Sequence, residues 1–348
     1  MSHSTTWRGL AVAVAAALAF GVAPLAAGAD EPAPADDAQW SAPAVVDAPA
    51  TEEGSFSAQS ELQATAAASP NAVWDLFRVM NSRRIDQGGS PWVLNPTLTT
   101  VANNWLAQKG ANAYPMPDPN VATKVPGSYT QIWHNTAWSI ATSPEQAVQL
   151  LAEQLATADL TWAPTTDIGI GMVQEPYVEG YSFFSFYIVA TDYPHSVAQA
   201  GEMTLYRFYR PNTGTHFYST SAAERNSVAK SSSYRYEGQV AYVLSPSAPS
   251  ANTANLNRFY QPASGTHFYT SSVAEYNRVL TFPQYGLDGV AGKVYTGQVN
   301  SGITPMYRFF RPASGTHFYT ANPSEVQSVK NIPGYTYEGV AFFLRTAY

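Results

Sequence analysis

The sequence predicts an α+β protein in two folded parts, a layered unit of helices and strands followed by a mostly β lobe with three-fold pseudo-symmetry. Apolar residues recur at three- and four-residue steps between Ser69 and Leu155, and β-branched and aromatic runs then continue to Tyr193. From Leu205 a single motif appears three times, its histidines His216, His267 and His317 lying 51 and 50 residues apart. A chain of 348 residues accommodates two units at roughly 100–200 residues each.

Met1 to Ala29 reads as a secretory signal peptide. It has Arg8, then an apolar run from Gly9 to Ala27, and Ala27-Gly28-Ala29 as a cleavage site. The expected protein is therefore secreted, with cell-surface association compatible, and the absence of Cys means its parts must be stable by packing alone. Residues 30–68 are Ala, Pro, Ser and acid without any period, which predicts a disordered acidic spacer. The net charge of -7 belongs there: eight carboxylates and no Lys or Arg lie between Asp30 and Glu61, leaving 17 basic and 17 acidic residues from Asn71 onward. A balanced body with five Lys in the chain argues against nucleic-acid binding. After the signal, no run of the ~18 apolar residues a membrane span requires is found.

The first folded part is expected over 69–198. Ser69-Pro70 opens a helix with Val73, Leu76, Phe77 and Met80 on one face. Asn95-Pro96 opens a second, with Leu98, Val101, Ala102, Trp105 and Leu106 aligned and Gly110 as its stop. Ser143-Pro144-Glu145-Gln146 is a capping box ahead of Val148, Leu151 and Leu155. Strands follow at 168–174 and 181–193. Asp167, just before Ile168-Gly169, is expected at the surface or in a turn.

The order VMNSRRIDQGGSPWVLNPTLTTVANNWLAQ, WHNTAW, SPEQAVQLLAEQ and TDIGIGM resembles the CAP superfamily, the cysteine-rich secretory and pathogenesis-related proteins. The resemblance implies an α-β-α sandwich in a secreted protein, usually without enzymatic activity, whose relatives bind lipids, sterols or proteins. It also implies a cleft with two His and two acids for a cation. Here the pattern departs: 112–124 holds no His, His134 stands where the family has Glu, and Ala156 and Thr157 stand near the second His. With too few ligands for a divalent ion, no metal and no cofactor are expected. The candidate cleft residues are His134, flanked by Trp133 and Trp138, and Glu145. His134 reads as a ligand-facing or proton-transfer group, or as a histidine satisfied within a Trp-rich core. Glu145 also suits the dipole of its helix.

The second part is expected over 204–348, with copies at about 204–245, 255–296 and 305–348. Each reads as strand, turn, strand, short helix, strand, and three copies predict a closed, β-trefoil-like lobe. Sixteen of the 22 Tyr lie from Tyr206 onward, which suits a mixed core and also sugar stacking. The copies resemble a three-copy module of exported bacterial proteins, often found beside enzymatic or adhesive domains. Their repeated polar set is Arg207, His216 and Glu224, then Arg258, His267 and Glu275, then Arg308, His317 and Glu325. These trios are either three ligand pockets acting with avidity or an internal network that fixes the unit.

The expected function is a non-catalytic binding protein whose repeats recognise an extracellular glycan or cell-wall polymer. One alternative is a surface hydrolase targeted by the repeats, although no Gly-x-Ser-x-Gly, His-Glu-x-x-His or Cys nucleophile is present. Another is a CAP-like part that binds lipid through Trp133, Trp138 and its aromatic last strand.

Overall fold

The computed structural model describes residues 70–109, 116–160, 165–249 and 251–347. The expected signal peptide and acidic spacer lie outside the described residues. The described chain is α+β, and the described residues belong to one compact unit.

The first part contains α1 (Pro70–Asp86), β1 (Val93–Leu94), α2 (Pro96–Lys109), β2 (Ile132–Ala141), α3 (Pro144–Leu155), β3 (Asp167–Pro176) and β4 (Ser182–Thr191). Its sheet has the order β1-β3-β4-β2, with β1 parallel to β3 and the other pairs antiparallel. Because strand side chains alternate between faces, Ile168, Ile170 and Met172 of β3 join Phe184, Phe186 and Ile188 of β4 under α1 and α3. Tyr187 and Val189 point the other way, onto Leu98, Ala102 and Trp105 of α2. The helices thus cover both faces of the sheet.

Gly169 and Gly171 on β3 explain how closely α2 lies. A Cβ at Gly169 would sit 2.1 Å from the Leu98 carbonyl carbon, and one at Gly171 would sit 2.7 Å from that of Ala102. The close approach brings Thr99 Oγ1 and Asn103 Oδ1 to the backbone N–H groups of Ile170 and Met172, at 3.3 and 3.2 Å. These side chains satisfy donors that the two-residue β1 is too short to reach.

The Asn81-x-x-Arg84 pattern has a structural job. Asn81 pairs with the Trp92 backbone in both directions, at 3.0 and 2.8 Å. Arg84 donates to the carbonyls of Ser90, Leu160 and Thr165 and lies over the Trp92 ring at 4.2 Å, and burial pushes its guanidinium down to about 10.

The second part holds three β-β-α-β copies. The first is β5 (Glu202–Arg210), β6 (Thr215–Ser219), α4 (Ala222–Lys230) and β7 (Arg235–Leu244). The second is β8 (Thr253–Gln261), β9 (Thr266–Thr270), α5 (Val273–Val279) and β10 (Gly286–Tyr295). The third is β11 (Thr304–Arg311), β12 (Thr316–Thr320), α6 (Pro323–Lys330) and β13 (Thr336–Thr346). Within each copy the first strand pairs with both others. The last strands β7, β10 and β13 also pair with one another, so the nine strands close on themselves.

Tyrosines complete the closure. Tyr218 Oη donates to the Tyr319 carbonyl, Tyr319 Oη to that of Tyr269 and Tyr269 Oη to that of Tyr218, at 2.7, 2.7 and 2.5 Å. Each hydroxyl also accepts the N–H of the residue whose carbonyl it binds. The rings meet edge to face at 5.6–5.9 Å. A buried hydroxyl with both roles filled pays no unsatisfied-donor penalty.

Among the described residues, the preceding part packs chiefly on the first copy. Arg235 lies 4.9 Å over the Trp74 ring, Lys230 pairs with Asp86, and Gln239 Nε2 donates to the Ser196 carbonyl at 3.0 Å. A Cβ at Gly238 would meet Val93 at 2.8 Å, whereas one at Gly289 or Gly339 would meet nothing within 4 Å. Tyr236 is accordingly 5% exposed, against 48% for Leu287 and 41% for Tyr337 at the same position.

Candidate functional site

The four cleft candidates of the first part do not come together. His134 and Trp138 lie on the α2 side of β2: His134 meets Tyr187, and Trp138 stacks on Phe183 at 5.3 Å. Trp133, one residue out of phase, packs into the core beneath α1 and α3. Glu145 lies in the first turn of α3 and lines a cleft of about 280 Å³ with Trp74, Arg78, Tyr234 and Arg235.

His134 Nδ1 lies 2.9 Å from the Tyr187 hydroxyl, which also accepts the Asp118 N–H at 3.3 Å. Asp118 is fully buried and paired with Lys124 at 2.6 Å, and the Lys124 ammonium sits 4.7 Å over the Trp105 ring. Burial lowers the His134 pKa, with Asp118 acting in the opposite direction, while burial raises that of Tyr187. The pair is therefore a neutral imidazole bonded to a phenol, an arrangement that positions both rings against α2.

The expectation that Asp167 is a surface or turn residue is corrected. It is 3% exposed and accepts from Asn95 Nδ2 at 3.0 Å, while its other oxygen lies 2.5 Å from His195 Nε2. His195, 28 residues away, was the signal that sequence reading passed over. The Asp167 hydrogen bond raises the His195 pKa against the opposing effect of burial. A histidine with a raised folded pKa contributes its stabilisation below the unfolded value near 6.5 and loses it as pH rises through the folded value. The stability difference between the wild type and His195→Ala is expected to be largest at pH 5–6 and to shrink toward pH 9. Urea unfolding across that range checks it, and a pH-independent difference would count against the pair.

The repeated trios form three equivalent clusters, each spanning two copies. Arg207 takes Glu325 through both terminal nitrogens at 2.9 and 2.8 Å, and Arg308 takes Glu275 likewise. Arg258 meets Glu224 at 2.7 Å. Each arginine thus reaches the glutamate of the preceding copy, with the first reaching back to the third. Its Nε points to an acid of its own copy at 2.6 Å: Glu237, Asp288 or Glu338. Those acids were missed by the sequence reading. Each immediately precedes Gly238, Gly289 or Gly339, and the strand register slips there by one residue, a bulge with φ of +95°, +117° and +94° at the glycines. The bulge turns the acid inward. A recurring acid-Gly pair at the same period was the available signal.

The helix caps differ in detail from a capping box. Ser221, Ser272 and Asn322 accept the N–H of Glu224, Glu275 and Glu325. The glutamate carboxylates do not return to the cap. They accept instead from Ser219, Thr270 and Thr320, whose hydroxyls take the cap N–H. A hydroxyl relay frees each glutamate for its arginine.

The three histidines meet phenylalanines of other copies with tilted rings, at 4.6 Å (His216 and Phe318), 4.8 Å (His267 and Phe217) and 4.9 Å (His317 and Phe268). His216 Nε2 is 3.6 Å from Glu237 but unbonded, because Arg207 already occupies that oxygen. Burial, then the Arg207 charge, push its imidazole down to about 3; burial and Arg308 push His317 down to about 4, and burial lowers His267. Burial works to raise the Glu325 carboxyl, but Arg207 and Thr320 hold it at about 2.

Unfolded imidazoles protonate near 6.5. Below that pH the unfolded chain binds protons that the folded chain refuses, so stability is whole above ~6.5 and falls with pH, by about 1.4 kcal/mol per pH unit for each histidine. Glu237, raised by burial, titrates in the opposite sense as one group against three. The unfolding midpoint is expected to drop steeply from pH 6.5 to 4, and His216→Phe to flatten the slope. A flat profile in urea titrations would contradict neutral, buried imidazoles.

Exposure grades the clusters. Side-chain exposure is 9%, 5% and 14% for Arg207, Glu237 and Glu325, but 15%, 36% and 28% for Arg308, Glu275 and Glu338. The last cluster borders a small opening of about 150 Å³ with Thr270 and Ser271. Among the described residues no group of three or more His, Asp or Glu is gathered to hold a metal, and no helix is long and apolar enough to cross a membrane.

Residues 193–345 match the model of a domain of unknown function (DUF5648). Among solved structures, the chain is similar to a cysteine-rich secretory protein from Staphylococcus aureus, with a TM-score of 0.26 and 16% identity over 35% of this chain and 38% of that one. It is also similar to venom allergen-like protein 4 of Schistosoma mansoni, with a TM-score of 0.25 and 15% identity over 38% of this chain and 97% of that one. The chain thus spans well under half of the staphylococcal protein. No curated protein matches it.

Proposed function

We propose that this is an exported, non-catalytic binding protein in which a CAP-like body carries a closed, trefoil-like repeat lobe that recognises an extracellular glycan or cell-wall polymer. The observation that carries the reading is the internal closure of the ionic clusters. Each repeated arginine faces two carboxylates inside the lobe. The charges are consumed in fastening copy to copy, and the faces of the second and third copies left uncovered by the first part present Leu287, Val290, Tyr337 and Val340. Apolar and aromatic side chains suit the flat faces of sugar rings. The CAP-like assignment rests on the motifs around Asn81, Asn95 and Gly169 and on the helices covering both faces of the sheet. His134 bonded to a phenol is not paired with a nucleophile, so that residue lends a hydrolase no support.

Sedimentation of the purified chain with insoluble peptidoglycan, chitin, cellulose and curdlan tests the reading. Retention on at least one is expected, and a chain that stays in the supernatant with all of them would sink it.

A further inference from the structure

We infer that the second copy carries a glycan-binding groove at a position the first and third copies fill with a pair of tyrosines. The inference rests on the glycan reading above and narrows it to one site.

Strand register places Tyr206, Asn257 and Tyr307 at one position of the repeat, opposite Ser219, Thr270 and Thr320. It places Tyr236, Leu287 and Tyr337 at another, opposite Phe208, Phe259 and Phe309. In the first copy the two tyrosines lie 6.4 Å apart, and in the third 6.2 Å. Cations lie against these pairs: Arg225 sits 4.8 Å over Tyr206 and donates to its hydroxyl, and Lys330 sits 4.2 Å over Tyr337. In the second copy both aromatics are gone and Tyr276 replaces Arg225. The space they leave is a groove of about 530 Å³.

Its lining settles the ligand chemistry. Tyr276, Leu287 and Val290 form the apolar side, with Asn255, Asn257 and Asn277 supplying amides, and none of the lining residues carries a charge. Asn255 and Asn277 are exposed at the mouth, while the half-buried Asn257 donates its Nδ2 to the Asn255 and Thr270 carbonyls at 3.4 and 3.5 Å and offers the groove its side-chain oxygen. Carboxamides both donate and accept, which matches vicinal hydroxyls. A phosphate or uronate would find no cation there, and a lipid chain would meet three amides. The volume falls in the range of ligand sites and suits a neutral oligosaccharide segment.

The test is titration calorimetry of the full chain with chitohexaose, cellohexaose, laminarihexaose and maltohexaose, and with the variants Asn257→Tyr and Asn277→Ala. Asn257→Tyr restores the residue that the other copies carry, so it is compatible with the fold; Asn277→Ala changes an exposed side chain. Binding of one hexasaccharide by the wild type, weakened by about ten-fold or more in Asn257→Tyr and measurably in Asn277→Ala, is the expected result. Equal affinity in all three proteins overturns the groove and leaves the glycan reading intact. A chain that sediments with polysaccharide yet binds none of the hexasaccharides also overturns it, whereas absence of sedimentation removes the reading beneath it.

Discussion

Gly169→Ala is expected to lower the stability of the first part by about 3 kcal/mol, because its Cβ would make the tightest contact of any added at the described glycines. The added Cβ would stand 2.1 Å from the Leu98 carbonyl carbon and 2.3 Å from the Thr99 nitrogen, both backbone atoms of α2. No rotamer change relieves a clash with backbone. α2 must lift, and lifting it breaks the bonds that the Ile170 and Met172 N–H groups of β3 donate to Thr99 and Asn103. It also opens the packing of Leu98 and Ala102, both fully buried. Gly180→Ala is not an equal control, because Gly180 has a positive φ; Gly297, which has open space around it, is a better one. Chemical unfolding of Gly169→Ala and Gly297→Ala decides the matter: equal midpoints would show that α2 does not depend on the missing side chain.

Arg207→Leu is expected to cost about 3–5 kcal/mol, because it leaves Glu237 and Glu325 facing each other without their cation in the most enclosed of the three clusters. Arg308→Leu is expected to cost less, since Glu275 and Glu338 are 36% and 28% exposed and water can replace part of what the arginine supplied. A triple variant removing Arg207, Glu237 and Glu325 together, each replaced by Leu, is expected to recover much of the loss, because the penalty comes from orphaned charge rather than from the missing pair. Urea midpoints of the three variants provide the comparison. If Arg308→Leu proved as damaging as Arg207→Leu, exposure would not be what grades the clusters.

Much of the architecture was legible locally. The helix-opening Pro70, Pro96 and Pro144 sit at the observed starts of α1, α2 and α3, and the apolar stripes named from their spacing are the residues in the core. β2 escaped notice because helices cover both faces of its sheet. Trp133 and Ala137 face one layer and His134 and Trp138 the other, so the strand lacks the apolar and polar alternation that marks a half-solvated sheet. Grouping His134 with Trp133 followed from their adjacency in sequence, which in a strand sends neighbours to opposite faces.

Asp167 and the bulge acids were hidden for another reason. Their burial depends on partners far along the chain: His195 for Asp167, and Arg207, Arg258 and Arg308 for Glu237, Asp288 and Glu338. An acid beside glycine looks like a surface turn until the strand register is known.

By itself the sequence determined the period of the repeat, the β-β-α-β content of each copy and the identity of the recurring Arg, His and Glu, since these follow from local pattern and repetition. Only the tertiary structure decided that each arginine reaches the glutamate of another copy, that the tyrosines bond around a closed ring, and that the exchange of two tyrosines for Asn257 and Leu287 leaves a groove. Closure brings together residues 33 to 118 positions apart, and contacts of that separation leave no imprint on neighbouring residues.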